Sequence, residues 1–121
     1  MPRSILAVDD STSMRQMLAF SLKGAGYEVE EAADGQQALN IAKTRSFDLV
    51  LSDVNMPVMD GIELIRQLRA LPTYKYTPIL MLTTEAGTEK KMEGKNAGAT
   101  GWIVKPFNPD QLLNTVKRVL G

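Results

Sequence analysis

Apolar residues along this chain fall into two alternating patterns. Short runs at Ile5 to Val8, Val29 to Ala32, Leu49 to Leu51, Ile79 to Leu82 and Trp102 to Val104, apolar but for Glu30 and Glu31 in the second, have the length of strands rather than helices. Between them, apolar positions return every three to four residues. Met14, Met17, Leu18 and Leu22 make one such stripe early in the chain, and Leu112, Leu113, Val116, Val119 and Leu120 make another at its end, each the core-facing side of an amphipathic helix. Five strand-to-helix alternations predict an α/β fold: a doubly wound, five-stranded parallel sheet covered on both faces by five helices. Helix starts are signalled by a capping side chain with an acceptor three residues on, at Ser13 with Gln16, Asp34 with Gln37, Asp60 with Glu63, and Asn108 with Pro109 and Gln111. The fourth helical segment, Thr84 to Ala97, is the weakest. It carries Gly87 and Gly94, each costing about 1 kcal/mol relative to alanine, and Gly98 follows it as a left-handed stop. Leu71 to Pro78, with Pro72 and Pro78 as breakers, is the long connection.

Composition narrows the class without changing this picture. At 121 residues the expectation is one domain over 1–121. No apolar run approaches the roughly 18 residues of a membrane span, and the start Met-Pro-Arg-Ser-Ile-Leu-Ala-Val-Asp-Asp does not read as a signal peptide, so a cytoplasmic monomer is expected. The absence of cysteine and histidine removes disulfides, thiolate chemistry and the commonest base and transition-metal ligand. Carboxylates and hydroxyls remain, and these suit hard cations such as Mg²⁺. Fourteen basic residues against fourteen acidic ones leave no bulk positive field for nucleic acid.

The polar residues that need explaining stand just past the carboxyl ends of the runs: Asp9 and Asp10 after the first, Asp53 after the third, Thr83 after the fourth and Lys105 after the fifth. Taken singly, each has an ordinary reading, the aspartates as strand-end or cap residues, Lys105 as a solvated lysine, Thr83 as a β-branched strand residue. Together they point to a site, because open α/β sheets bind ligands outside the carboxyl ends of their strands. In 2-1-3-4-5, one common strand order of such sheets and borrowed rather than derived from this sequence, strands one, three, four and five are neighbours and all five residues converge. Three crowded carboxylates either raise a pKa or recruit a cation. An ionised aspartate beside a metal and an ammonium is a competent nucleophile toward a phosphoryl group.

These residues sit in stretches that resemble the receiver-domain family of two-component signalling, most closely its stand-alone chemotaxis members of the CheY type. The stretches are Ala7 to Ser11, Glu31 to Gly35, Ser52 to Gly61, Leu82 with Thr83, and Val104 to Phe107. The resemblance implies the flavodoxin-like fold with order 2-1-3-4-5. It implies that Asp53 is the phosphoacceptor, that Asp10 and Asp53 bind Mg²⁺ directly with the backbone carbonyl of Asn55, and that Asp9 helps through water. Lys105 would pair with the acceptor carboxylate, and Thr83 would bond a phosphoryl oxygen. Trp102, where the family more often has tyrosine or phenylalanine, would turn inward as the switch, and Pro106 would follow a cis peptide bond. A sensor histidine kinase would be the phosphodonor, and a separate output protein such as the flagellar motor switch, or a phosphate-sink arrangement, would follow. Such proteins are switches rather than enzymes, assisting their own phosphorylation and slow dephosphorylation.

Two other classes compete, and a purely structural receiver that is never phosphorylated is a third option, against which the intact set of Asp9, Asp10, Asp53, Thr83 and Lys105 argues. A Mg²⁺-dependent aspartate-nucleophile phosphatase of the haloacid-dehalogenase kind places a second aspartate two residues after the first; here that residue is Asn55, which shuttles no proton at neutral pH. Glu85 is either a modulator of the phosphoryl group's lifetime or a solvated helix-start carboxylate. A flavin carrier would place hydroxyls after the first strand, where this chain has Asp9 and Asp10.

Overall fold

The computed structural model describes residues 2–84 and 88–121, without the side chain of Thr88. Strands β1 (Ser4–Val8), β2 (Glu28–Ala32), β3 (Leu49–Asp53), β4 (Ile79–Thr83) and β5 (Gly101–Val104) alternate with helices α1 (Thr12–Gly24), α2 (Gly35–Thr44), α3 (Gly61–Arg69), α4 (Thr88–Ala97) and α5 (Pro109–Leu120). All four strand pairings are parallel, in the order β2-β1-β3-β4-β5, as expected from the alternation and the adopted order. No described helix is long and apolar enough to cross a membrane.

Alternation of side chains along each strand divides the interior into two layers. Leu6, Val8, Val50, Ile79 and Met81 face one way and meet Ala38, Leu39 and Ala42 of α2 and Ile62, Ile65 and Leu68 of α3. Ile5, Ala7, Leu49, Leu51, Leu80, Leu82 and Ile103 face the other way and meet Leu18 and Leu22 of α1 and Leu112 and Val116 of α5. Strands β1, β3 and β4 are buried along their whole length. β2 is not: its three glutamates are exposed, because it forms an edge of the sheet, where charge discourages further strand pairing.

Three of the four expected caps are made. Asp34, Asp60 and Asn108 accept from the backbone N–H of Gln37, Glu63 and Gln111. The fourth expectation needs correction: α1 is capped by Ser11, whose side chain accepts from Met14 N–H, not by Ser13. The helix can start two residues earlier because the Ser11 N–H is already taken by the Asp9 carboxylate at 2.9 Å. Gly98 closes α4 with φ +116°. Of the residues expected in the first part of that helical segment, Thr84 lies outside the helix, and Glu85 and Gly87 lie outside the described residues. The long connection before β4 holds a 3-10 turn, Pro72–Tyr74. Tyr74 there is fully buried, its hydroxyl donating to the carbonyls of Ala42 and Arg45.

Candidate functional site

Parallel strands deliver their carboxyl ends to one edge of the sheet, and the sequence puts acids there. Asp53 is the last residue of β3 and Thr83 the last of β4, while Asp9, Asp10 and Lys105 stand one or two residues past β1 and β5. Oxygens of Asp9, Asp10 and Asp53 lie within 4.8 Å of one another. Lys105, from the far edge of the sheet, reaches over β4 into this cluster, its Nζ 3.0 Å from Asp9 Oδ2 and 3.3 Å from Asp53 Oδ1. Its preceding residues are the last pairing of β4 with β5, Thr83 against Val104, and the Lys105-Pro106 bond is cis.

The three carboxylates are not equivalent. Asp9 is buried, with one oxygen accepting from Ser11 N–H and the other from Lys105. Asp53 is nearly buried; its Oδ1 accepts from Val54 N–H at 2.8 Å. Asp10 is exposed. Among the described residues, no hydrogen bond is made to the Asp10 carboxylate or to Asp53 Oδ2. Burial raises the pKa of Asp53, the charge of Asp9 raises it further, and Lys105 and the Val54 N–H oppose both without cancelling them. Burial alone would lower the pKa of Lys105, but the hydrogen bond to Asp9 and the charges of Asp53 and Asp9 outweigh it and the net shift is upward. The lysine is a cation here.

A hard divalent cation fits this donor set. The three carboxylates offer only oxygen ligands, two of them keep free oxygens, and the Asp9 repulsion that adds to burial in raising the pKa of Asp53 is one a cation would offset. The β3–α3 connection is held tightly against the end of β3: Gly61 N–H donates to Val54 O at 2.8 Å, and a β-carbon at Gly61 would collide with the Asp53 backbone oxygen. Only glycine lets α3 begin so close to the end of β3. Asn55 is exposed in the same connection.

Trp102 lies on the sheet face of Met81, with which it is in register. It is 40% exposed, and the ammonium of Lys91 on α4 sits 5.1 Å from its ring centroid. Glu85 lies outside the described residues. Sequence reasoning did not anticipate that Lys105 pairs with Asp9 as well as Asp53, nor that Arg15 joins the site from α1. Arg15 Nη1 donates to the backbone oxygen of Asp9 at 2.7 Å; an arginine one helical turn past an acidic pair was the available signal.

Comparison with known proteins agrees with this geometry. The family model of the response regulator receiver domain matches residues 5–117. Among solved structures, the chain is similar to the chemotaxis response regulator CheY4 of Vibrio cholerae, with 59% identity and a TM-score of 0.96 over 98% of this chain and 99% of that one. It is also similar to the receiver domain of a sensor histidine kinase from Pseudomonas aeruginosa with magnesium ion coordinated in its active site cleft, at 30% identity and a TM-score of 0.93, covering 100% of this chain and 99% of the other. The transcriptional regulatory protein SrrA of Staphylococcus aureus is 38% identical over 120 residues, 99% of this chain and 48% of the relative. The chain thus spans about half the length of the curated relatives it matches.

Proposed function

The chain belongs to the response regulator receiver domain family, and from that premise we propose that it is a phosphorylation-driven signalling switch whose acceptor is Asp53. The observation that carries this is the convergence of Asp9, Asp10, Asp53 and Lys105 from the ends of three strands, β1, β3 and β5. Asp10 and Asp53 would hold Mg²⁺ directly with the Asn55 carbonyl, and Asp9, whose oxygens are already engaged, would act through water. When bound, the ion supplies positive charge that offsets the carboxylates and the incoming phosphoryl oxygens.

The residues then divide the work. An Asp53 oxygen attacks phosphorus and forms the acyl phosphate, while the bond to the donor breaks and the donor nitrogen of a phosphohistidine keeps the electron pair. Lys105, positioned against Asp53 and Asp9, neutralises charge as it builds on the transferred group. The modified side chain carries roughly 1.5 to 2 negative charges and three strong acceptors. Thr83, at the end of the neighbouring strand, donates to one of them, and the changed end of β4 favours an inward Trp102, altering the surface made by α4, β5 and α5. Asn55 leaves no general base two residues past the acceptor, so the phosphoryl group persists long enough to signal.

The phosphodonor is a sensor histidine kinase. Likeness to CheY4 at 59% identity, against 38% to SrrA, favours a chemotaxis output, with a protein such as the flagellar motor switch as its reader. Incubation with acetyl phosphate and Mg²⁺ is expected to add one phosphoryl group to Asp53 by intact mass, and to change the fluorescence of the single tryptophan. An equal gain in Asp53→Asn, or none in the wild type, overturns the reading.

A further inference from the structure

We propose that Arg15 is a positioning residue for the acidic cluster, setting the affinity for the divalent cation by fixing the peptide between Asp9 and Asp10. The inference rests on the Mg²⁺-dependent function proposed above and assigns a part to a residue outside the acceptor, cation and hydroxyl set.

The guanidinium is not a solvated surface charge: the Arg15 side chain is 18% exposed. Nη1 donates to the Asp9 carbonyl at 2.7 Å, Nη2 donates to Thr12 Oγ1 at 3.3 Å, and Nε stands 3.8 Å from Glu31 Oε1. The carbonyl contact is the short one. It completes the restraint of Asp9, whose N–H donates to Ala32 O on β2 at 3.1 Å and whose carboxylate takes the Ser11 N–H and Lys105.

Asp10 has no such anchors. Its carboxylate is exposed and without a hydrogen-bond partner among the described residues, yet it lies with Asp9 and Asp53 within 4.8 Å. What orients it is the peptide plane joining it to Asp9, since that plane carries the Asp9 oxygen at one corner and the Asp10 nitrogen at another. A guanidinium with one arm on this oxygen and the other on Thr12 of the helix that follows turns the plane and so aims Asp10. Outer partners of this kind in metal sites are worth about 10- to 100-fold in affinity.

Electrostatics and positioning make opposite predictions, which gives the test. Deleting a positive charge beside three carboxylates should tighten cation binding if charge alone matters; losing the peptide anchor should weaken it. Mg²⁺ affinity of the full chain is measured by titration calorimetry for wild type, Arg15→Ala, Arg15→Gln and Arg15→Lys, with folding of each checked by circular dichroism. Expected are dissociation constants at least about tenfold weaker in the Ala and Gln variants, with the Lys variant, which keeps a donor and a charge, recovering part of the loss. Unchanged or tighter binding in Arg15→Gln overturns the inference while leaving the wild-type reading intact. Absence of Mg²⁺ binding in the wild type overturns the function it rests on. Should Arg15→Ala fail to fold, the Gln and Lys variants carry the same comparison.

Discussion

Asp53 illustrates how a site residue trades stability for reactivity. Its pKa stands above the ordinary 3.8 because burial and then Asp9 disfavour its charge more than Lys105 favours it. A carboxyl raised in this way binds its proton more tightly in the folded state than in the unfolded one. Its contribution to stability is therefore lost as pH rises from the unfolded value through the folded one, and above that it is a standing cost. In metal-free buffer, Asp53→Asn is expected to melt above the wild type at neutral pH, with the gap narrowing as pH falls toward 3.8; a gap that stays constant or widens on acidification would contradict the assigned cause. The acids themselves were legible in the sequence because strand ends are local signals. Their inequality was not, since Asp9 is satisfied by Lys105, 96 residues away, and no local pattern reports such a partner.

Among the elements, α4 differs from the other helices. Its apolar positions make no stripe, and the only buried residue described in it is Gly94. A β-carbon at Gly94 would run into the sulfur and methyl of Met81, so this glycine, read from the sequence as a weakness of the helix, is what seats the helix on β4. Gly94→Ala gains about 1 kcal/mol of helix propensity but overpacks a fully buried methionine at about 1–3 kcal/mol, for an expected net loss of about 1 kcal/mol. Denaturant titration checks this, and a Met81→Ala background should reverse the sign; additive effects would refute the contact. At its far end α4 is secured by Arg69 of α3, which donates to Gly98 O through Nε and Nη2 and to the carbonyls of Tyr74 and Thr77 through Nη1. The caps at Asp34, Asp60 and Asn108 were legible because each is a contact over three residues. Ser11 was missed because its choice over Ser13 depends on Asp9.

At the scale of the molecule, strand alternation was sufficient for the parallel sheet, because continuous apolar runs separated by amphipathic helices admit few other burials. Edge and centre also differ in the sequence: β2 carries Glu28, Glu30 and Glu31 where β1 is the unbroken Ile-Leu-Ala-Val, the mark of an edge strand, and the pairing gives β2 a single neighbour. The sheet also makes the proposed cation a determinant of stability. Mg²⁺ at 100 times its dissociation constant should add about 2.7 kcal/mol, roughly 10 °C in melting temperature for a domain of this size, and Asp10→Asn should abolish most of the gain. Melting curves indifferent to Mg²⁺ in the wild type would count against the site. Lys105 carries a last consequence. It enters the site from beyond β5, whereas its two partners come from β1 and β3, so its ammonium arrives only once the last strand has been added to the sheet. A sheet that stops at β4 would leave Asp53 and Asp9 without this counter-charge, so the electrostatic balance at one end of the sheet doubles as a check that its far edge is in place.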